Sequence, residues 1–346
     1  MTSDRRPTTV DRKTEVTEEP VPEPAWNRTE GFYRGEAPSL FWELTVCQSL
    51  ADPAGPYAAA LEERQPYGAL VARYLRQVLG PEPPGHVVEV GGGYGTLMVG
   101  LRKAWPPGRI TMVDLSPRFL AEQRRRLGDA VRLVEADALS FFRKVRGPVD
   151  LVVANEIVGD LPTVTDLRRD EVRVAARGGE ADPLTRRVAD RVARYGIDLS
   201  DAPEVFAFNL GAVELLEALA GKARAVFLTE HSSDVRLPER YRFLPLDAGD
   251  GYPRRVPLKD HDEYTIRFDH LEAAARALGF RVRRFHLAEV VGLRADEGIR
   301  FMARTGVTLS ETAEAVCEFC HHIAEYQGLV LTEGERCEAH NPESRS

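Results

Sequence analysis

A short apolar run at residues 86–90 ends in a glycine-rich turn, and this junction constrains the fold more than any other feature of the chain. The pattern is Glu-x-Gly-x-Gly-x-Gly, formed by Glu89, Gly91, Gly93 and Gly95. Glycines allow a tight turn and let a ligand approach the backbone where a Cβ would clash. A buried strand that runs through such a turn into a helix predicts a ligand site at the carboxyl edge of a parallel sheet.

Three more strand ends carry polar residues in the order that a doubly wound sheet requires. Asp114 ends the second apolar run, where a carboxylate can bind the hydroxyls of a ribose. Asp137 ends the third run, where an acid can accept a hydrogen bond from an adenine amino group. Asn155 and Glu156 follow the fourth run, at the edge where open sheets place their active sites. These later runs occupy residues 110–113, 131–136 and 149–154.

Two ligands fit this layout, a dinucleotide and S-adenosylmethionine. A dinucleotide turn needs Gly-x-Gly-x-x-Gly, but the third glycine position is Thr96 when counted from Gly91. Counted from Gly93, it is Met98. Glu89 has no role in binding a pyrophosphate, whereas an acid can receive the ammonium group of S-adenosylmethionine. The residues therefore favour S-adenosylmethionine, and an NAD-dependent dehydrogenase remains the alternative. The residues expected to hold the cofactor are Glu89, Gly91, Gly93, Gly95, Asp114, Leu115, Asp137, Ala138 and Asn155.

Composition limits the partners and the location. The chain has 346 residues and a formal net charge of −8, whereas nucleic-acid binders are usually basic, so we expect no nucleic-acid partner. No apolar run approaches the roughly 18 residues that span a membrane, and the first six residues lack the apolar core of a secretory signal. Four cysteines do not form a disulfide scaffold in a chain this long. We expect a cytoplasmic protein without a membrane partner, and a homodimer is compatible with these features.

The predicted fold class is α/β, with a doubly wound, Rossmann-like and mostly parallel seven-stranded sheet. A helical block precedes the sheet, with helical apolar spacing at 41–44 and 69–75. A charged insertion after the fourth strand is predicted to be a helical lid over the substrate, with a solvated surface excursion as the alternative. Residues 280–285 and 288–293 are predicted to be late strands with antiparallel pairing at one sheet edge. The expected segments are a disordered arm at 1–30, the helical block at 31–80, the cofactor-binding core at 81–162, the lid at 163–205, the rest of the core at 206–300, and a C-terminal helix and tail at 301–346.

Together these motifs resemble those of class I S-adenosylmethionine-dependent methyltransferases. Within that superfamily the chain is most similar to the MidA-type group, which includes the mitochondrial complex I assembly arginine methyltransferase. That group carries Asn-Glu-x-x-Asp-Ala-Leu-Pro after its fourth strand. The resemblance covers about residues 30–300 and implies in-line methyl transfer to a protein, a peptide or a small molecule, with arginine as one acceptor. The residues that match the group's motif are Asn155, Glu156, Leu161 and Pro162.

One position departs from that family pattern. The family aspartate aligns with Gly159, and Asp160 falls where the family has alanine, so the acid is either displaced by one residue or lost. Glu156 and Asp160 are the predicted acceptor-orienting residues, because a guanidinium presents a planar fork of donors to carboxylates. Their alternative role is to cap a helix N-terminus. His231, at the end of a later apolar run, is the predicted general base. The departure also favours an alternative function, a catalytically silent assembly or binding factor that still binds the cofactor.

The C-terminal segment has a spacing that is compatible with a structural zinc site. Cys317, Cys320, Cys337 and His340 form a Cys-x2-Cys and a Cys-x2-His pair. Against this, Cys317 and Cys320 lie on an apolar helical face, where cysteines are commonly small core residues. We therefore predict no metal ligand in the chain, and zinc remains the alternative.

Overall fold

The computed structural model describes residues 22–35, 39–40, 45–246 and 249–334. The predicted helix at 41–44 lies outside the described residues, as do Cys337 and His340. The strands are β1 (Ala25–Asn27), β2 (His86–Val90), β3 (Arg109–Asp114), β4 (Arg132–Glu135), β5 (Val149–Asn155), β6 (Thr163–Arg168), β7 (Val205–Phe208), β8 (Ala223–His231), β9 (Arg255–Pro257), β10 (Asp262–Tyr264), β11 (Phe280–His286) and β12 (Tyr326–Glu333). The helices are α1 (Glu30–Tyr33), α2 (Val46–Ser49), α3 (Tyr67–Leu79), α4 (Thr96–Ala104), α5 (Pro117–Leu127), α6 (Ala138–Lys144), α7 (Arg169–Ala176), α8 (Pro183–Tyr195), α9 (Leu210–Leu219), α10 (Phe268–Ala277), α11 (Leu287–Val291), α12 (Glu297–Thr305) and α13 (Glu311–Ile323). Short 3₁₀ turns occupy Tyr57–Ala60, Val158–Asp160 and Glu239–Tyr241.

Seven strands form one sheet in the order β11-β12-β8-β5-β2-β3-β4. Neighbouring strands from β8 to β4 are parallel, whereas β12 runs antiparallel between β8 and β11. Helices α3, α4, α11 and α13 bury an apolar cluster on one face of the sheet, and α6, α9 and α10 bury a second cluster on the other. The chain order reverses between β2 and β5, and a crevice opens beyond the carboxyl ends of strands at such a point. The predicted doubly wound, mostly parallel seven-stranded sheet is confirmed.

The antiparallel edge differs from the prediction. Residues 280–285 lie in β11 as predicted, but the predicted strand at 288–293 is wrong, because α11 occupies most of it. The His286 ring accepts a hydrogen bond from the first turn of α11, and the Glu289 carboxylate accepts one from the His286 backbone. Gly292 then ends the helix in the left-handed conformation, and together these caps favour a helix over a strand. The antiparallel partner of β11 is β12, which lies in the segment expected to be a C-terminal helix and tail.

The insertion after β5 is not wholly helical, and the expected helical lid is corrected to that extent. It begins with β6, which pairs with β1 and β7 in a separate three-stranded antiparallel sheet. Strand β1 falls within the arm that was expected to be disordered up to residue 30. Helices α7 and α8 follow β6, and Arg187 on α8 pairs with Glu214 on α9 at 2.5 Å. The insertion therefore packs against the outer helix layer. Within the described residues, no helix combines the length and apolar character needed to cross a membrane.

Candidate active site

The carboxyl ends of β2, β3, β4 and β5 surround an open cavity. Most residues predicted from the sequence meet here, although they come from four different strand ends. Gly95 and His231 are not among the residues that line the cavity, and neither is any residue of the insertion at 163–205. The predicted residues that do line it are Glu89, Gly91, Gly93, Asp114, Leu115, Asp137, Ala138, Asn155, Glu156 and Asp160.

The glycine turn forms the floor of this cavity. Gly91 has a φ of 61°, and a Cβ added there would lie 2.6 Å from the side chain of Ile157. Gly95 caps the N-terminus of α4 with a φ of 77°, and its N–H donates to the carbonyl of Gly92 at 2.7 Å. Both positions require a conformation that residues with a Cβ rarely adopt. The backbone can therefore approach a ligand closely, and Gly95 acts by shaping the turn.

Glu89 supplies a buried carboxylate beside the turn. Its side chain is almost fully buried, and Oε2 has no hydrogen-bond partner among the described residues. Burial, and secondly the charge of Asp114, raises the pKa of Glu89 to about 8. A buried polar atom without a partner is costly and usually marks a missing ligand or water. This carboxylate therefore fits a cationic group such as an ammonium.

Asp114 lies at the end of β3, next to Glu89. Its carboxylate accepts hydrogen bonds from the Ser116 N–H at 2.9 Å and from Gln123 Nε2 at 3.2 Å. Burial raises the pKa of Asp114 to about 6, and these hydrogen bonds oppose the shift. The Gln123 amide also donates to the carbonyl of Gly93 at 2.9 Å. Gln123, which the sequence did not single out, thus ties the acid of β3 to the glycine turn.

The remaining predicted cofactor residues border the same cavity. Asp137 caps α6 by accepting a hydrogen bond from the Ser140 N–H at 2.8 Å, which fixes its carboxylate at the end of β4. Leu115 and Ala138 follow the two acids directly in the chain and line the cavity beside them. An unpaired buried carboxylate, a glycine cradle and two further acids are the groups that S-adenosylmethionine requires. The residues present fit this cofactor.

Asn155 and Glu156 form hydrogen bonds with residues from distant parts of the chain. Asn155 Oδ1 accepts bonds from the hydroxyls of Tyr67 at 2.6 Å and Thr229 at 2.9 Å. The Asn155 amide donates to Glu156 at 2.9 Å. The hydroxyl of Tyr326 also donates to Glu156, at 3.3 Å. Glu156 itself has a φ of 52°, which is unusual for a residue with a side chain. The backbone after β5 is therefore strained at the residue whose carboxylate accepts these hydrogen bonds.

The Glu156 carboxylate also holds the start of α2. It accepts hydrogen bonds from the Val46 N–H at 2.8 Å and from the Cys47 N–H at 3.1 Å. Burial raises the pKa of Glu156, and these two backbone hydrogen bonds oppose the shift. Leu40, Thr45, Cys47 and Gln48 line the cavity as well. Glu156 thus caps a helix, the alternative role considered for it, and the N-terminal segment forms one wall of the site.

Asp160 lies at the end of a 3₁₀ turn on the rim of the cavity. Its Oδ2 accepts a hydrogen bond from the Tyr33 hydroxyl at 3.0 Å, and its carbonyl accepts one from Thr29 at 2.9 Å. A Cβ on Gly159 would lie 3.0 Å from the carbonyl oxygen of Tyr264 and 3.3 Å from Glu230. Position 159 is therefore too crowded for an acid, whereas position 160 faces the cavity.

The hairpin β9–β10 brings two further residues to Asp160. His261 Nε2 lies 3.8 Å from Asp160 Oδ1 and 3.4 Å from Glu263 Oε1. The His261 ring stacks on Phe32 with centroids 4.1 Å apart. Sequence reasoning missed both residues, because the hairpin lies about one hundred positions downstream and carries no recognised motif. The signal that the sequence offers here is a run of charged residues at 259–263 around His261.

His231 lies at the end of β8, away from the cavity lining. Its ring centroid is 4.0 Å from that of Tyr326, and Nδ1 is 3.9 Å from Glu325. Its neighbour Glu230 is buried and accepts hydrogen bonds from the N–H groups of Gly159 and His231. The structure therefore does not bring His231 into direct contact with the cavity, and its role as general base stays a prediction.

Two cysteines of the alternative zinc set, Cys317 and Cys320, are buried in the core. Cys317 and Cys320 are buried on α13, and Cys320 belongs to the apolar cluster on that face of the sheet. Burial raises the pKa of Cys320 to about 12. Among residues 22–35, 39–40, 45–246 and 249–334, metal-ligand spacing occurs in one group, formed by Asp160, His261 and Glu263.

Known proteins are similar to this chain in part of their sequence and in fold. Residues 88–181 match a protein family described as a methyltransferase domain. The trans-aconitate 2-methyltransferase of Streptomyces coelicolor is 32% identical over 133 residues, covering 37% of this chain and 42% of that protein. The release factor glutamine methyltransferase of Chlorobaculum tepidum is 38% identical over 76 residues, covering 20% of this chain and 26% of that protein. The chain thus spans less than half of the length of either curated relative.

A solved structure extends the likeness to nearly the whole chain. An uncharacterized COG1565 superfamily protein from Burkholderia thailandensis superposes with a TM-score of 0.52 at 17% identity, covering 89% of this chain and 88% of that one. This chain therefore shares the fold of that protein over nearly its whole length. The matched family and both curated relatives are methyltransferases, so the dehydrogenase alternative finds no support. Residues 88–181 therefore belong to a methyltransferase domain, and S-adenosylmethionine is its cofactor.

Proposed function

We propose that the chain transfers the methyl group of S-adenosylmethionine to a proton-bearing nitrogen or oxygen of a protein, a peptide or a small molecule. The observation that supports this function best is the shared cavity. The carboxylate suited to the donor, Glu89, and the predicted acceptor acid, Asp160, line the same space. Arginine is the acceptor that the MidA-type resemblance implies. The methyl group on the sulfonium is the electrophile that the cofactor supplies.

The residues of the chain act on this reaction by positioning. Glu89 holds the ammonium of the donor, and the turn at Gly91 lets the donor lie against the backbone. Asp114 binds the ribose hydroxyls. Fixing donor and acceptor at near-attack distance can supply up to roughly 7–11 kcal/mol of the barrier reduction. On this basis catalysis depends more on the fixed strand ends than on any single acid or base.

Asp160 is the proposed acceptor-orienting acid. It lies on the rim of the cavity, and the Tyr33 hydroxyl at 3.0 Å fixes one of its oxygens. A carboxylate there can hold an N–H or O–H of the acceptor and receive its proton. Glu156 has a different role in this proposal, because its oxygens already bind the start of α2. It maintains the wall of the site.

The test is methyl transfer from radiolabelled S-adenosylmethionine to arginine peptides and small amines. We expect Asp160→Asn to lose most of its turnover while its affinity for S-adenosylhomocysteine stays unchanged. Asp129→Asn is the matched control, because Asp129 is fully exposed and pairs only with Arg124 at the surface. Equal turnover in Asp160→Asn and the control would remove Asp160 from the mechanism.

A second candidate is a catalytically silent assembly or binding factor. It is favoured by the N-terminal segment, which already engages both predicted acceptor acids through Val46, Cys47 and Tyr33. Turnover with any acceptor would exclude this candidate. The homodimer, the cytoplasmic location and the lack of nucleic-acid or membrane partners remain predictions of the sequence.

A further inference from the structure

Asp160, His261 and Glu263 bring three potential metal ligands together beside the cofactor cavity. One ligand atom from each residue lies within 4.8 Å of the other two. The distances of 3.4 Å and 3.8 Å from His261 Nε2 to the two carboxylates exceed the roughly 2.7–3.2 Å of a good N–H···O hydrogen bond. Two ligands that each lie about 2.1 Å from one ion are separated by about 3.0–3.5 Å. The 3.4 Å distance fits this ligand spacing, and the 3.8 Å distance is slightly longer.

We propose that this cluster binds a divalent transition-metal ion of the Mn²⁺ or Zn²⁺ class. Imidazole nitrogen suits Zn²⁺, carboxylate oxygen suits Mn²⁺, and a mixed set accepts either. The charges lead to the same conclusion. The cluster holds two carboxylates, and a dication offsets the charges of both.

The cluster is nearly closed, which selects a small ligand. The side chains of His261, Asp160 and Glu263 are 6%, 8% and 18% exposed. A guanidinium cannot enter between their ligand atoms without displacing them, whereas an ion fits. His261 Nδ1 is also buried and has no hydrogen-bond partner in the described part of the chain. Within the described residues, the hydrogen bonding of this ring is limited to the long contact of 3.4 Å from Nε2 to Glu263.

The ligands are also held in fixed orientations. The His261 ring stacks on Phe32 with 18° between the planes and meets Tyr33 edge-on at 5.5 Å. The Tyr33 hydroxyl binds Oδ2 of Asp160, and Oδ1 is the oxygen that lies nearest to His261. Outer-shell contacts of this kind orient metal ligands and sustain affinity. The site is preorganised, although the ligands and the aromatic residues that orient them come from three separate segments of the chain.

Three protein ligands leave coordination positions open, as in catalytic rather than structural metal sites. Because Asp160 also lines the cofactor cavity, a bound ion lies at the acceptor side of the donor. It can hold an acceptor oxygen or nitrogen there and lower the pKa of that group. This consequence rests on the proposed methyltransferase function, whereas ion binding itself does not.

The test is a titration of the full chain with Mn²⁺ after its metal ions have been removed by dialysis against a chelator. Electron paramagnetic resonance measures the bound Mn²⁺. We expect one Mn²⁺ per chain, and an affinity at least about tenfold weaker in Glu263→Gln and in His261→Gln. Glu239→Gln is the matched control, because Glu239 is 78% exposed and pairs with Arg242 at the surface. Circular dichroism establishes that each variant is folded, and calorimetry with Zn²⁺ repeats the comparison.

The proposal is overturned if neither ion binds, or if the ions bind equally to the three variants. It is also overturned if an arginine peptide binds the metal-free chain and Glu263→Gln abolishes that binding, because the cluster then belongs to the acceptor. S-adenosylhomocysteine binding is measured separately on the metal-free chain. Its absence contradicts the methyltransferase function but leaves the ion-binding result intact.

Discussion

The affinity for the cofactor should depend on the ionisation of Glu89. A cationic ligand binds the carboxylate form, and the pKa of Glu89 is raised to about 8 in the ligand-free protein. With this pKa, about 3% of the chains carry the carboxylate at pH 6.5 and about three quarters carry it at pH 8.5. The dissociation constant of S-adenosylhomocysteine should therefore fall about 25-fold between these two pH values.

The assay is calorimetric titration at pH 6.5, 7.5 and 8.5 in buffers of different ionisation enthalpy. Binding to the wild-type chain should release close to one proton at pH 6.5 and much less at pH 8.5. Glu89→Gln should remove this pH dependence. It should also weaken binding at pH 8.5 by about 1.5–3 kcal/mol, because a hydrogen bond to a charged group is lost. Equal pH profiles in the two proteins would refute the assignment of Glu89 to the ammonium.

The same carboxyl group should affect the stability of the ligand-free chain. Its pKa rises from an ordinary value of 4.5 to about 8 on folding, so folding favours the protonated form. The resulting stabilisation is complete below pH 4.5 and is lost as the pH rises to about 8. Glu89→Gln should therefore raise the melting temperature at pH 8 relative to the wild type, but not at pH 4.5. Thermal unfolding followed by circular dichroism measures both values.

Three further substitutions test other parts of the site. Glu156→Ala removes the hydrogen-bond acceptor at the start of α2, so the Cys47 thiol should react about tenfold faster with iodoacetamide, as measured by mass spectrometry. Gly91→Ala places a methyl group 2.6 Å from a neighbouring side chain and should abolish S-adenosylhomocysteine binding in calorimetry. Gly128→Ala is its control, because that glycine has a similar φ of 76° and nothing within 4 Å. Gly159→Asp should lower the melting temperature by several degrees, because its Cβ meets a carbonyl oxygen at 3.0 Å.

The cofactor side of the site was predictable because each of its residues ends a strand. Asp114 and Asp137 follow apolar runs directly, and parallel strands bring their carboxyl ends to one edge whatever the intervening chain does. The turn at Gly91 was equally local, since a left-handed glycine after a buried strand has few other structural explanations. Local pattern and sheet topology were together sufficient for these residues.

The acceptor side was not predictable, because its residues meet only through tertiary contacts. Glu156 lines the cavity, but no local pattern shows that its oxygens bind the N–H groups of Val46 and Cys47, more than a hundred positions upstream. His261 and Glu263 belong to a short hairpin between irregular segments. The strand at Tyr326–Glu333 lies in the segment that was expected to be a C-terminal helix and tail.

The crowding at position 159 explains the departure from the family pattern. A side chain at Gly159 would meet the carbonyl oxygen of Tyr264 and the carboxylate of Glu230. The Glu230 carboxylate accepts the Gly159 N–H at 2.9 Å, so this close approach also satisfies a buried acid. The 3₁₀ turn then directs the next residue, Asp160, to the rim of the cavity. Asp160 thus keeps a carboxylate on the cavity one position after Gly159, which is what the proposed methyl transfer requires and a silent binding factor does not.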